Sequence, residues 1–156
     1  MSAAMPRPAI IPALSYQDPR AALDWLQRAF GFEIEMIIED EQGNPVHSEL
    51  RYGNGVVMVG SEWNADTKSP ASIGRKCTQT VHMHMEEDIN RHCARARAAG
   101  AEIIAAPEDQ FYGDRTYRAR DPEGHIWTFG QTVKAVEPAE WDKAMGTKTH
   151  WVGHEQ

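Results

Sequence analysis

The chain has 156 residues, of which 41% are hydrophobic and 25% charged, and a formal net charge of −7. Length and composition are those of one soluble globular domain, and the negative charge argues against sequence-independent binding to nucleic acid. No apolar run approaches the roughly 18 residues of a membrane span, and the N-terminus lacks the pattern of a secretory signal. We therefore expect a cytoplasmic protein with neither membrane nor nucleic-acid partners.

The first half of the chain is typical of a β-α-β-β-β module. Residues 10–16 are predicted as a strand, and Asp18 and Pro19 begin a helix because they suit its N-cap and first position. Apolar residues at helical spacing follow as far as Gly31, a natural C-terminal stop. Three further strands are predicted, separated by glycine-containing turns, at residues 32–39, 46–52 and 56–61.

The second half repeats this order after a polar connection. A strand is predicted at residues 78–85 and a helix at residues 88–99, where Arg91, Arg95 and Arg97 form a solvated face rather than a binding patch. The remaining strands are predicted at residues 102–106, 116–120 and 126–133. A tail begins at residue 138, with a short helix at 139–145 and two tryptophans, Trp141 and Trp151.

An internal repeat joins the two halves at an offset of 69 residues. Residues 51–59 match residues 120–128, the latter within a hairpin whose turn is Asp121-Pro122-Glu123-Gly124. The same gapless offset places residues 29–34 on residues 98–103. A repeat of this length predicts two copies of one module. The predicted fold is α+β, with two curved mixed sheets whose helices cover the convex faces and whose concave faces form a cup.

Several motifs carry a resemblance to a known family: the Asp-Pro helix start, Ala-Phe-Gly at the helix end, Val-His-Ser-Glu-Leu at 46–50, Gly-Asp-Arg at 113–115, and the segment 121–127. Together with the tandem modules, they resemble the vicinal oxygen chelate superfamily, which holds glyoxalase I, bleomycin-resistance proteins, fosfomycin-resistance enzymes and extradiol dioxygenases. The resemblance implies one domain at residues 1–137, with modules at 8–62 and 76–133, and a tail at 138–156. Such a fold hosts several chemistries as well as plain ligand binding.

The resemblance also implies where a metal would be held. Metal-using members take one ligand from the first strand and one from the last strand of each module. The matching positions here are Ile11, Val59, Thr80 and Thr128. Two aliphatic and two hydroxyl side chains form no adequate divalent-metal site, so the usual metal centre is expected to be missing.

Strand alternation predicts which ionisable side chains face the cup. If Thr80 faces it, so do His82 and His84, and in the third strand His47, Glu49 and Arg51 do the same. Three interpretations remain open: ordinary solvated positions at the sheet rims, a polar ligand pocket, or a displaced metal site built from His47, Glu49, His82 and His84.

The loop before the last hairpin offers further candidates. Phe111 and Tyr112 could form an aromatic wall, and Asp114 and Arg115 either pair with each other or border the cavity, as the Gly-Asp-Arg resemblance implies. His125 is interpreted as a turn residue near solvent. Cys77 and Cys93 lack metal-type spacing and fit a reducing compartment, although one disulfide is an alternative.

The leading hypothesis is a small-molecule binding protein of the bleomycin-resistance type that sequesters an organic ligand without metal or other cofactor. The predicted ligand-binding residues are His47, Glu49, His82, His84, Phe111, Tyr112, Asp114, Arg115 and Thr128. One alternative is an enzyme, either a glyoxalase-like lyase or isomerase with an unusual metal set, or metal-free acid–base chemistry by His47 with Glu49 or His82. Another is an interaction module with a vestigial cup. A homodimer is expected from family habit and from the two tail tryptophans.

Overall fold

The computed structural model describes residues 5–153; the ends of the predicted domain and tail, residues 1–4 and 154–156, lie outside the described residues. The first module consists of β1 (Ala13–Tyr16), α1 (Pro19–Phe30), β2 (Glu33–Glu39), β3 (Pro45–Tyr52) and β4 (Gly55–Ser61). The second module consists of β5 (Val81–His84), α2 (Ile89–Ala98), β6 (Glu102–Asp109), β7 (Asp114–Arg120) and β8 (Ile126–Thr132). A short 3-10 turn (Pro70–Ser72) lies between the modules, and α3 (Pro138–Met145) follows them.

Each module forms one four-stranded mixed sheet. The strand orders are β1-β4-β3-β2 and β5-β8-β7-β6, so the two sheets have the same topology. In each sheet the first and last strands of the module pair in parallel, and the remaining pairs are antiparallel. The predicted α+β fold with two similar modules is therefore confirmed.

Three strands differ in length from the prediction by three residues or more. β1 begins at Ala13 rather than at residue 10, because Pro12 has no N–H to donate and contributes only its carbonyl, which accepts from the Met58 amide. β5 is also shorter, at Val81–His84. β6 instead continues through Pro107 to Asp109, because it is an edge strand, where a proline can be tolerated.

The helix ends follow the predicted capping. The Asp18 side chain accepts a hydrogen bond from the Ala21 amide at the start of α1, and Asp88 accepts from two amides at the start of α2. Gly31 ends α1 in the left-handed region, with φ of 80°, and its amide donates to the Gln27 carbonyl. These caps satisfy backbone groups at the helix ends that have no partner within the helix.

One shared core lies between the convex faces of the two sheets. Phe30 of α1 packs against Phe129 and Trp127 of β8, with ring centroids 4.7 and 5.6 Å apart. Trp25 and Leu50 of the first module and Tyr117 of the second are buried in the same cluster. Because side chains alternate along a strand, the concave faces of both sheets point away from this core.

Two buried polar residues connect the modules within that core. His92 of α2 contacts the Phe30 carbonyl through Nε2, at 2.9 Å, and the Tyr117 hydroxyl through Nδ1. Burial lowers the pKa of His92. Asp121, in the β7–β8 turn, accepts from the Tyr16 hydroxyl at 2.6 Å and from Trp127 Nε1 at 3.1 Å. Neither residue was predicted to connect the modules.

The C-terminal tail is more exposed than the modules. No residue of α3 is buried, and Trp141 Nε1 donates to the Thr149 hydroxyl within the tail itself. Trp151 is exposed. Between residues 5 and 153, no helix combines the length and apolar character needed to cross a membrane.

Candidate functional site

The concave face of the first sheet carries a buried carboxylate, and the N-terminal segment reaches it. Arg7 donates to both oxygens of Glu49 through its two terminal nitrogens, at 2.8 and 2.9 Å, and His47 Nε2 lies 3.2 Å from one of these oxygens. Glu49 is only 3% exposed. The hydrogen bonds from Arg7 are the main reason that the pKa of Glu49 falls to about 2. Glu49 is therefore a carboxylate already engaged by its own chain.

A second ion pair occupies the same face. Arg51 is the next residue of β3 after Glu49 that lies on the concave face, and it pairs with Glu35 of β2. The central charges of this concave face are thus matched within the molecule. Among the described residues, one buried side-chain atom of this face, Nη1 of Arg51, has no hydrogen-bond partner.

The concave face of the second sheet has a different character. Its central row crosses all four strands and consists of His82, Thr128, Arg118 and Ala105, each a Cα partner of the next. Thr128 is 7% exposed, and its hydroxyl accepts from Arg118 Nε at 3.1 Å. An imidazole, a hydroxyl and a guanidinium are therefore aligned on an open surface.

The adjacent row leaves a small niche at Gly130. A Cβ atom added there would lie 3.4 Å from His82 Nε2, 3.5 Å from Thr116 Cγ2 and 3.7 Å from Asp114 Oδ2. Asp114 itself accepts from the Thr132 hydroxyl at 2.8 Å. Because Gly130 has no side chain, two polar atoms, from His82 and Asp114, and the Thr116 methyl group surround a space that an incoming group could fill.

An aromatic pair lies close to this row. The rings of Phe111 and Tyr112 meet edge to face with centroids 5.2 Å apart, and Phe111 is 47% exposed. Burial raises the pKa of Tyr112, the charge of Asp114 raises it further, and the charge of Arg118 opposes the rise. Tyr112 is thus close enough to Asp114 and Arg118 for their charges to affect its pKa.

The glycine of the Gly-Asp-Arg motif is fixed by backbone geometry. Gly113 has φ of 101°, and a Cβ there would lie 2.1 Å from the Lys134 carbonyl oxygen, so no other residue fits without a shift. Asp114 and Arg115 do not pair with each other. Arg115 pairs instead with Asp109, at 2.6 Å, on the sheet side that bears α2, and therefore does not line the concave face. The reason is strand alternation, which turns it away from Asp114.

The predicted site residues divide between the two sheets. His82, His84, Asp114 and Thr128 belong to the concave face of the second sheet, with Phe111 and Tyr112 nearby. His47 and Glu49 belong to the first sheet. Within residues 5–153, no three His, Cys, Asp or Glu side chains are grouped so that they could hold a metal ion. The four residues of the displaced-site hypothesis are thus not assembled within one chain.

The positions matched to the family's metal ligands need one correction. The β3–β4 register pairs Leu50 with Val57, and the β7–β8 register pairs Ala119 with Trp127, so the repeat offset rises from 69 between the third strands to 70 between the last strands. The counterpart of Thr128 is therefore Met58, whereas Val59 faces the core with 0% exposure. A thioether in place of Val59 still gives no adequate ligand set for a hard or borderline divalent metal.

Two residues at these faces were missed by sequence reasoning, and one residue of the β7–β8 turn makes a contact that was not predicted. Arg118 could have been found, since alternation from Thr116 places it on the concave face. Arg7 gave no signal, because it precedes the first strand in an irregular segment. His125, interpreted as a solvent-side turn residue, is half-buried and contacts the Ser15 carbonyl through Nε2 at 2.8 Å.

The fold defines a class of small α+β proteins. Two similar modules share one core between their convex, helix-bearing faces, and their concave sheet faces are left to form cups. The chain belongs to the Glyoxalase/Bleomycin resistance protein/Dioxygenase superfamily, whose family model matches residues 11–129.

Individual relatives agree with this assignment. The chain is 31% identical over 145 residues to Uncharacterized protein Rv0887c of Mycobacterium tuberculosis, covering 90% of this chain and 84% of that protein. The crystal structure of TioX from Micromonospora sp. ML1 is 34% identical, covers 80% of this chain and 98% of its own, and gives a TM-score of 0.62. TnmS3 from Streptomyces sp. CB03234, described as an antibiotic binding protein, is 14% identical in sequence. Its match covers 85% of this chain and 97% of its own, with a TM-score of 0.61.

Proposed function

We propose that this protein binds a small organic molecule on the concave face of its second sheet and holds it without metal and without chemical change. The observation that carries the proposal is the niche at Gly130, which has His82, Thr116 and Asp114 around it and the Thr128–Arg118 pair one row away. A few convergent polar groups beside an aromatic surface are typical of small-molecule sites.

The relatives support a binding role. TnmS3 shares the fold and is described as an antibiotic binding protein, which favours a ligand with the size and mixed polarity of an antibiotic. The pair of Phe111 and Tyr112 would suit an aromatic or apolar part of such a ligand. Binding of this kind needs affinity alone, so it does not depend on a metal set at the four family positions.

The acid–base alternative at His47 and Glu49 is less well supported. A general base near neutral pH works best with a pKa close to the working pH, whereas the pKa of Glu49 is about 2. Both of its oxygens are also held by Arg7. The pair serves better as an anchor for the N-terminal segment than as a proton acceptor.

We propose further that the protein acts as a homodimer, in which a second copy supplies the opposite wall of each cup. The support is that both concave faces point away from the shared core and that exposed apolar residues of the tail, such as Trp151, are free to be covered. Sedimentation should give twice the chain mass of 17.5 kDa; a monomer at micromolar concentration would contradict the dimer. The free Cys77 and Cys93 support a reducing, cytoplasmic setting.

Two matched glycine variants test the binding site. Gly130→Val fills the niche with a residue that suits a strand, whereas Gly60→Val makes the same change at the equivalent position of the first sheet, where a Cβ meets nothing within 4 Å. Wild type and both variants would be screened by thermal shift and native mass spectrometry against aromatic antibiotics, because a bound ligand raises the unfolding temperature.

We expect at least one compound to stabilise wild type and Gly60→Val but not Gly130→Val, and to be recovered unchanged after incubation. Equal binding by Gly130→Val would place the ligand elsewhere. Conversion of the compound to a product would overturn sequestration in favour of an enzyme.

A further inference from the structure

We infer that the ligand of this site carries one acidic group, such as a carboxylate, which binds Arg118 beside Thr128 and His82. This inference rests on the proposed function and adds the chemical class of the ligand.

Arg118 differs from the other arginines of β7 in lacking a carboxylate partner. Arg115 pairs with Asp109, and Arg120 lies 3.9 Å from Glu102, but Arg118 forms no ion pair within residues 5–153. Its one side-chain partner in that part of the chain is the Thr128 hydroxyl, which accepts from Nε. The guanidinium on the concave face therefore has its charge unmatched by the protein.

The contact with Thr128 also orients this guanidinium. Thr128 is almost fully buried and lies in the middle of the sheet, so its hydroxyl fixes the Nε side of the Arg118 guanidinium against the sheet surface. The two terminal nitrogens of Arg118 remain available to a ligand. A planar fork of donors matches a carboxylate in a bidentate arrangement, which a single ammonium cannot do. His82, the other cross-strand partner of Thr128, can add a third donor.

Neighbouring charges limit the ligand to one acidic group at this end. Asp114 lies beside the niche at Gly130, one row from Thr128, which corresponds to about 7 Å along the strands. A second acid placed there would face like charge. The net charge of −7 gives no general attraction for anions. Any preference for an acid therefore has to come from Arg118 and its neighbours Thr128 and His82 in the central row of the second sheet.

The test compares acids with their neutral counterparts. A panel of mono- to tricyclic aromatic carboxylates would be paired with the corresponding primary amides, and affinities measured by calorimetry and ligand fluorescence on the full-length protein. The variants are Arg118→Met, Arg118→Lys and Thr128→Val. The control is Arg97→Met, which removes the same charge from an exposed position on α2.

We expect wild type to bind the best acid at least about tenfold more tightly than its amide, because charge-assisted hydrogen bonds to a carboxylate are worth more than neutral ones. Arg118→Met should lose this preference, Arg118→Lys should keep part of it, Thr128→Val should weaken it, and Arg97→Met should leave it unchanged. Equal binding of acid and amide, or loss of the preference in Arg97→Met, would overturn the inference while leaving small-molecule binding intact. Failure of every acid and every amide to bind would overturn the proposed function as well.

Discussion

Replacing Arg7 by methionine would remove the guanidinium that holds Glu49 on the first sheet. The pKa of Glu49 is about 2 in the fold against an ordinary value of 4.5. Each pKa unit corresponds to about 1.4 kcal/mol, so the lowered pKa is worth about 3 kcal/mol net, after burial of the carboxylate has opposed the favourable interactions. Because the Arg7 side chain is 55% exposed, water screens part of this, and we expect Arg7→Met to lower the free energy of unfolding at neutral pH by only a part of that amount.

The dependence on pH follows from the direction of the shift. A carboxylate with a lowered pKa contributes stability that is fully present above its unfolded value of 4.5 and is lost as the pH falls through about 2. The stability difference between wild type and Arg7→Met should therefore be largest at neutral pH and shrink below pH 4.5.

Urea unfolding at about pH 7 and about pH 3 measures both effects. Arg28→Met is the matched control, because Arg28 forms an exposed pair with Asp24 on α1 and methionine has a similar helix propensity. The control should cost no more than about 0.5 kcal/mol. If Arg7→Met costs no more than the control, or costs the same at both pH values, Arg7 does not stabilise the fold through Glu49.

Other consequences of the structure can be measured in the same way. Tyr117→Phe should cost about 1–2 kcal/mol, because it leaves His92 Nδ1 without its partner, whereas Tyr112→Phe should be nearly neutral. Since burial lowers the pKa of His92 below its ordinary 6.5, the unfolded chain takes up the proton first, and stability should decline as the pH falls below about 6.5; a flat profile would contradict this. Asp121→Ala should cost about 3 kcal/mol in urea unfolding, because the hydrogen bonds from Trp127 and the turn amides lose their buried acceptor. Elemental analysis after chelation and dialysis should find no stoichiometric divalent metal, and one tightly held ion per chain would refute that expectation.

The fold could be predicted because its signals are local and repeated. Strand alternation correctly separated the exposed His82 and His84 from the core-facing Met85, and the caps Asp18 and Asp88 set both helix starts. The error at Val59 has a specific cause. A gapless match between halves cannot detect that two hairpin loops differ in length, and a one-residue slip turns a side chain to the opposite face of a sheet.

The site was less predictable because its decisive contacts join residues far apart in sequence. Arg7 meets Glu49 across 42 positions, and no periodic pattern marks the irregular segment in which it lies. Asp121 occupies a turn where aspartate is common, so its burial against Tyr16, 105 positions away, could not be inferred from the turn itself. Local patterns identify which face a residue occupies but not the distant partner it meets there.

The internal repeat explains why the two concave faces differ in what they can bind. At equivalent places, 69 residues apart, the first sheet has the acid Glu49 and the second has the base Arg118. Each lies in the third strand of its module, beside the position that corresponds to a family metal ligand. Glu49 is neutralised by Arg7 from the same chain, whereas Arg118 has only the Thr128 hydroxyl. One face thus satisfies its own charge, and the charge on the other is complementary to the acidic group that we propose its ligand supplies.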